Sequence, residues 1–145
     1  MKKNIYEIFE EFEKAPTIQD KANVLRFNDS MTLHSILRAA MHPHIHFYVD
    51  RVPNYKPSDA PIGLGYTTLH REISKIYLFE KNNPRRPPNL SEERMYQLLI
   101  QLLESLEAKE AVVFMNTLLK KLRIRDLDET VIKMAFPEKW ETILG

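Results

Sequence analysis

Apolar residues recur at three- and four-residue intervals through most of this chain, the spacing that gathers them on one face of an α-helix. In the first stretch Ile5, Ile8, Phe9 and Phe12 share a face, and Glu7, Glu10, Glu11 and Lys14 fall on the other. Pro16 closes that element. Thr17, with Asp20 three residues on, suits the capped start of a second helix carrying Val24, Leu25 and Phe27. Asn28-Asp29-Ser30 supplies the next break and cap, ahead of a third stripe formed by Leu33, Ile36, Leu37 and Ala40. These three helices are expected to make a compact N-terminal half.

Residues 42–52 carry two periods at once. His42, His44 and His46 alternate as in a strand, whereas Ile45, Tyr48, Val49 and Val52 fit a helix, and the helix is the expectation. Pro53, Pro57, Pro61, Gly63 and Gly65 then punctuate a long loop, suited to a covering segment or a binding surface, with Tyr55 and Tyr66 as its anchors. Thr67 or Thr68 is placed to cap a helix whose Leu69, Ile73, Ile76 and Tyr77 share a face. A second proline loop follows from Asn82 to Asn89, stiffened because each proline fixes its own dihedral and restricts the residue before it. Ser91-Glu92-Glu93 opens the next helix, with Leu98, Leu99, Leu102, Leu103 and Leu106 at core spacing. Ala108, Ala111, Val112, Met115, Leu118 and Leu119 continue the pattern, and Trp140, Ile143 and Leu144 are expected to dock back onto the domain. The pattern predicts one all-α domain over residues 1–145, of about eight helices in two packed halves with two proline-rich loops.

Composition narrows the class. With 145 residues the chain is long enough for one core without metal or disulfide staples. Three glycines, and a preponderance of Leu, Glu, Lys and Ile, favour helices over a turn-rich sandwich. Cysteine is absent, which excludes disulfides, zinc-thiolate sites and thiol catalysis. Residues 1–14 lack the apolar core of a signal peptide, and no stretch approaches the roughly 20 apolar residues of a membrane span. The expected address is the cytoplasm, that of the host cell if the chain is phage-encoded, with no membrane partner. Lys and Arg total 21 against 20 Asp and Glu, a formal charge of +1, so any nucleic-acid face must come from uneven placement.

Two constellations carry candidate chemistry. His42-Pro43-His44-Ile45-His46, with Asp50 beyond and His34 and His70 elsewhere, would put three imidazoles on one side of a strand but only His42 and His46 on one face of a helix. No bound metal is expected there, because a metal site needs preorganised geometry that alternating histidines beside a proline do not guarantee. No nucleophile motif, glycine-rich phosphate loop or paired-carboxylate motif accompanies the histidines, so neither an enzyme nor a cofactor is expected. The second constellation is cationic. Lys120, Lys121, Arg123 and Arg125 lie close together, with Lys133 nearby, Arg85 and Arg86 in the second proline loop, and Arg51 and Lys56 near the first. Brought together these nine would suit DNA phosphates; left apart they are solvated faces balanced by Glu and Asp.

Residues 118–137 also resemble a known family. Leu118-Leu119-Lys120-Lys121-Leu122-Arg123-Ile124-Arg125-Asp126-Leu127, running into 128–137 and ending Phe136-Pro137, looks like the close of the helical N-terminal DNA-binding module of phage-type ATP-dependent DNA ligases. Lys21-Ala22-Asn23-Val24-Leu25 before Asn28-Asp29, and Val52-Pro53-Asn54-Tyr55-Lys56-Pro57, resemble that module's second helix and its proline-lysine loop. The resemblance implies a helical fold and binding to duplex DNA. It implies no ligation, since the adenylated Lys-x-Asp-Gly sequence of ligases does not occur and Glu138–Gly145 would lie at the hand-over to a catalytic core. Where the module has a glycine-containing entry to its last helix, this chain has Asp126, Asp128 and Glu129, carboxylates that would satisfy the helix amides themselves and repel a phosphate. Tyr55–Pro61, Leu78–Pro84 and Leu106–Ala111 are similar to small proteins of tailed phages of marine bacteria. The expected role is a non-catalytic accessory protein binding duplex DNA or a complex working on it. The alternative is a protein-interaction module that has kept the fold without DNA binding, a host-takeover adaptor or virion component whose proline loops contact a phage or host protein.

Overall fold

Hydroxyl and carboxylate caps start most of the helices. In a computed structural model describing residues 2–61 and 65–145, helix α1 (Ile5–Lys14) opens where the Glu7 carboxylate accepts the Asn4 N–H at 3.3 Å. Thr17 accepts the Asp20 N–H at 3.1 Å to begin α2 (Ile18–Phe27), and Ser30 accepts the Leu33 N–H at 3.1 Å to begin α3 (Met31–Met41). The short α4 (Leu69–Glu72) runs straight into a 3-10 stretch, Ile73–Phe79. Ser91 caps α5 (Glu92–Ser105) by accepting from Arg94 N–H. After α6 (Ala108–Leu118), Asp128 caps α7 (Glu129–Ala135) by accepting the Val131 N–H at 3.1 Å, and α8 (Trp140–Leu144) closes the chain. Each such side-chain cap contributes about 1 kcal/mol. Among the described residues there are eight α-helices and no strand, so the fold is all-α.

The N-terminal helices α1–α3 pack on the C-terminal set, α1 and α3 against α6, α2 against α7, and α3 against α8. One hydrophobic cluster runs through both halves, from Ile5 to Ile143. Its largest members, Phe9, Phe12, Phe79 and Phe114, are fully buried, and the last two meet edge to face at 6.0 Å. Truncating any of these to alanine would cost about 3–5 kcal/mol, since transfer and cavity effects add. Ile143 is buried and Trp140 and Leu144 lean on the cluster, so the tail docks as expected. No helix among the described residues is long and apolar enough to cross a membrane.

The segment at 42–52 is not the helix its apolar spacing suggests. Pro43 pushes His42 into extended geometry (φ −69°, ψ 125°), which ends α3 and stops a helix from restarting. Beyond it the chain alternates, with Ile45, Phe47 and Val49 buried and His44, His46 and Tyr48 exposed, the period of a strand. Phe47 forms an isolated antiparallel bridge to Glu80; Tyr48 N–H donates to Phe79 O and Lys81 N–H to His46 O, both at 2.8 Å. Three aromatic and apolar expectations also change. Phe27, at the last turn of α2, is 84% exposed, Tyr66 stands in solvent, and Val112 faces outward while Ala111, Val113 and Phe114 take the buried side of α6. Tyr55 does pack against the core, and the expected break at Gly63 lies outside the described residues.

Candidate nucleic-acid interface

The end of α6 decides what its cations can do. Lys121 N–H donates to Asn116 O at 2.9 Å and Lys120 N–H to Thr117 O at 3.0 Å, a Schellman closure with Lys120 in the left-handed region (φ 59°). Glycine is the usual residue there, and a side chain costs about 1 kcal/mol. Here the side chain is used. Lys120 Nζ donates to Ala39 O at 2.8 Å and to His42 O at 2.9 Å, satisfying carbonyls at the negative end of α3. It is half-buried, and burial holds its ammonium below the usual lysine range. Lys120 therefore belongs to the fold and not to a solvated cationic face.

From Lys121 the chain alternates again: Leu122 and Ile124 pack on the core while Lys121, Arg123 and Arg125 are exposed, with Arg123 and Asp126 left-handed at φ 60° and 67°. Lys121 and Arg123 there meet the extended 46–50 segment, with Lys81 held beside His46 by the main-chain pairing described above. The three segments border an open cavity of about 330 Å³ whose lining includes His46, Asp50, Lys81, Lys120, Lys121 and Arg123. Among the described residues the side chains of Lys81, Lys121 and Arg123 make no ion pair or hydrogen bond. The carboxylate lining the cavity, Asp50, is engaged elsewhere, accepting Tyr96 Oη–H and the Arg51 guanidinium, each at 3.2 Å. The cations lining the cavity outnumber its one carboxylate, and an anion entering it relieves their mutual repulsion.

The other predicted cations are used differently. Arg86 donates Nε to Leu78 O at 2.7 Å and Nη2 to Met95 Sδ at 3.5 Å, and lies 4.3 Å from the centre of the Tyr48 ring. Arg85 stacks on Tyr77 at 4.5 Å, and Arg51 on Tyr96 at 4.2 Å while pairing with Glu92. Lys56 sits where its own N–H donates to Glu104 at 2.7 Å, away from the cavity. Arg125 is tied to α1, its N–H donating to the Glu13 carboxylate at 3.0 Å, and Lys133 pairs with Glu129 at 2.8 Å over Trp140. Of the nine predicted cations the structure thus brings Lys120, Lys121 and Arg123 to one cavity, and Arg51, Lys56, Arg85, Arg86, Arg125 and Lys133 fall outside its lining. Lys81 and Tyr48 were not singled out for binding in the sequence. The alternation at 44–49 was their signal, since in an extended segment it turns His46 and Tyr48 to the same side.

The histidines do not converge. Burial, then the neighbouring Arg38, His44 and Lys120, holds His42 below its usual range, and its Nδ1 accepts the His44 N–H at 3.1 Å. Among the described residues no three His, Asp or Glu side chains cluster as metal ligands would. The Asp126–Glu129 corner behaves as its carboxylates suggest, with Asp128 occupying the start of α7. A buried acid pair escaped the pattern reading. Glu107 accepts from Tyr6 Oη–H and Asn4 Nδ2–H, each at 3.2 Å, and both oxygens of Glu110 stand 3.3 Å from the Leu69 N–H. Burial pushes Glu110 up to about 7; the Leu69 N–H pulls the other way, and the charges of Glu107 and Glu7 add to the rise. Glu110 ties α6 to the start of α4.

Fold and site together define an all-α protein with a small, predominantly cationic cavity built from three chain segments. The chain belongs to the DUF6433 family, a family of unknown function whose model matches residues 8–126 and so takes in every residue of that cavity. No curated protein matches it.

Proposed function

We propose that the protein is a non-catalytic accessory module that binds the phosphate backbone of duplex DNA, alone or within a complex working on it, in the cytoplasm. The observation that carries this reading is that Lys81, Lys121 and Arg123 line one cavity and, among the described residues, none of the three forms an ion pair. Phosphate oxygens are the natural occupants of such a site, and the contact carries no sequence information. The resemblance of residues 118–137 to the DNA-binding module of phage-type ligases supports the same reading. A partner protein is the second reading, favoured by Phe27 and Met31, large apolar side chains almost wholly in solvent at the α2–α3 turn.

Fluorescence anisotropy on two duplexes of unrelated sequence, across a salt series, tests the proposal. Similar affinities are expected, with a log–log salt slope of roughly −3 if each of three cations displaces about 0.9 counterion per phosphate. Absence of duplex binding at low salt would reject it and direct attention to the Phe27–Met31 surface.

A further inference from the structure

The cationic cavity has an aromatic neighbour that a simple backbone track would not need. Tyr48 is 45% exposed, with its main chain pinned and two cations over its ring. Its N–H is bound to Phe79 O, and Arg86, itself anchored to Leu78 O and Met95 Sδ, lies 4.3 Å from the ring centre. Lys81 joins ring and cavity: its Nζ lies over the ring, 5.7 Å from its centre, and the residue is part of the cavity lining. An exposed aromatic ring beside cations that have no carboxylate partner is a combination by which proteins hold unpaired nucleotides, the ring stacking on a base and the cations taking the adjoining phosphate. A base inside an intact duplex has both faces covered by its neighbours and offers nothing to such a ring. The cavity, about 330 Å³, is also of the scale of a small-ligand site and not of a long groove.

Resting on the backbone-binding reading above, we infer that the preferred ligand is DNA presenting an unpaired nucleotide, as at an overhang or gap, with the base on Tyr48 and its phosphate between Lys81, Lys121 and Arg123. Tyr48 then sets the preference for unpaired over paired DNA, and the cations set the salt dependence.

The test uses three labelled probes on the full chain: a blunt duplex, the same duplex with a short single-stranded overhang, and that overhang built of abasic residues. Wild type is expected to bind the overhang about tenfold more tightly than the blunt end, and the abasic overhang should lose most of that gain, because its phosphates remain while its bases do not. Tyr48→Ala should bring the overhang and blunt affinities together, and Tyr48→Phe should keep them apart. The abasic probe needs no variant, so the comparison stands even if Tyr48→Ala fails to fold. Equal binding of all three probes by wild type, or of the abasic and normal overhangs, would overturn the inference while leaving backbone binding in place. Weakening of blunt and overhang binding to the same extent by Tyr48→Ala would also overturn it. Failure of every probe to bind at low salt would remove the backbone reading and this inference together.

Discussion

Lys120 and Lys121 are adjacent in the chain and do opposite things. Lys120 turns inward to the last carbonyls of α3, at Ala39 and His42, and is half-buried; Lys121 stands at the mouth of the cavity with its ammonium unpaired among the described residues. The same division runs through the molecule. Lys21, buried against the Phe12 ring, donates to Phe12 O at 2.9 Å and Glu13 O at 3.2 Å, and Arg86 closes the 3-10 stretch at Leu78 O. Lys81, Lys121 and Arg123 have no such task. A cation becomes structural where a helix C-terminus leaves carbonyls within its reach, and stays available for a ligand where none is near. With a formal charge of +1, what distinguishes this chain is which cations remain free, not how many it has.

The largest effect belongs to the most buried of the structural cations. Lys21→Ala removes the ammonium that donates to both Phe12 O and Glu13 O at the end of α1, and should lower stability by about 2–3 kcal/mol in urea denaturation. A loss below about 1 kcal/mol would mean that water replaces the ammonium and that the division is weaker than the geometry implies.

Lys120→Ala should cost about 1–2 kcal/mol, less because its environment is more open. Lys120→Gly sharpens the point. It loses the same ammonium but relieves the left-handed backbone, so it should be the milder variant by about 1 kcal/mol. Equal losses would show that the closure of α6 does not depend on that conformation.

An acidic counterpart tests the division from the other side. Glu110 is raised to about 7 against an ordinary 4.5, so the folded protein holds that proton more tightly than the unfolded chain. The resulting stabilisation is full below pH 4.5 and is lost as pH rises through 7. Glu110→Gln keeps an acceptor for the Leu69 N–H without the charge. It should therefore melt higher than wild type at pH 8, by about 1–2 kcal/mol after allowance for solvent screening, and no higher at pH 4. A pH-independent difference would contradict the buried charge.

Much of the helical framework was open to reading because its signals are local. Thr17, Ser30 and Ser91 announce helices through the amide three residues on, and the stripes from Ile5 to Phe12 and from Leu99 to Leu106 repeat within one element. The segment at 42–52 carries both periods in its sequence, and the choice between them falls to Pro43 and to main-chain pairing with Phe79–Lys81, more than thirty residues away. The cavity inherits that difficulty. Lys121 and Arg123 stand out as cations in the sequence, but Lys81 and Tyr48 gain a role only through the bridge that sets them beside His46. Lys120 carries the same charge as its neighbour, and its inward turn follows from a left-handed backbone that its residue type does not suggest.

The smallest expected change in stability accompanies the most direct test of the account. Lys121→Ala and Lys120→Ala are compared in one series, each by thermal melting and by anisotropy on the same DNA across salt. The account predicts that Lys121→Ala melts within about 0.5 kcal/mol of wild type yet binds more weakly at low salt, with a salt slope shallower by about one phosphate contact. Lys120→Ala should lose stability instead and, at a temperature where it is folded, keep the wild-type slope. The reverse result, with Lys121→Ala unstable or binding DNA as wild type does and Lys120→Ala stable but with a shallower slope, would contradict the division of cations on which the proposed function rests.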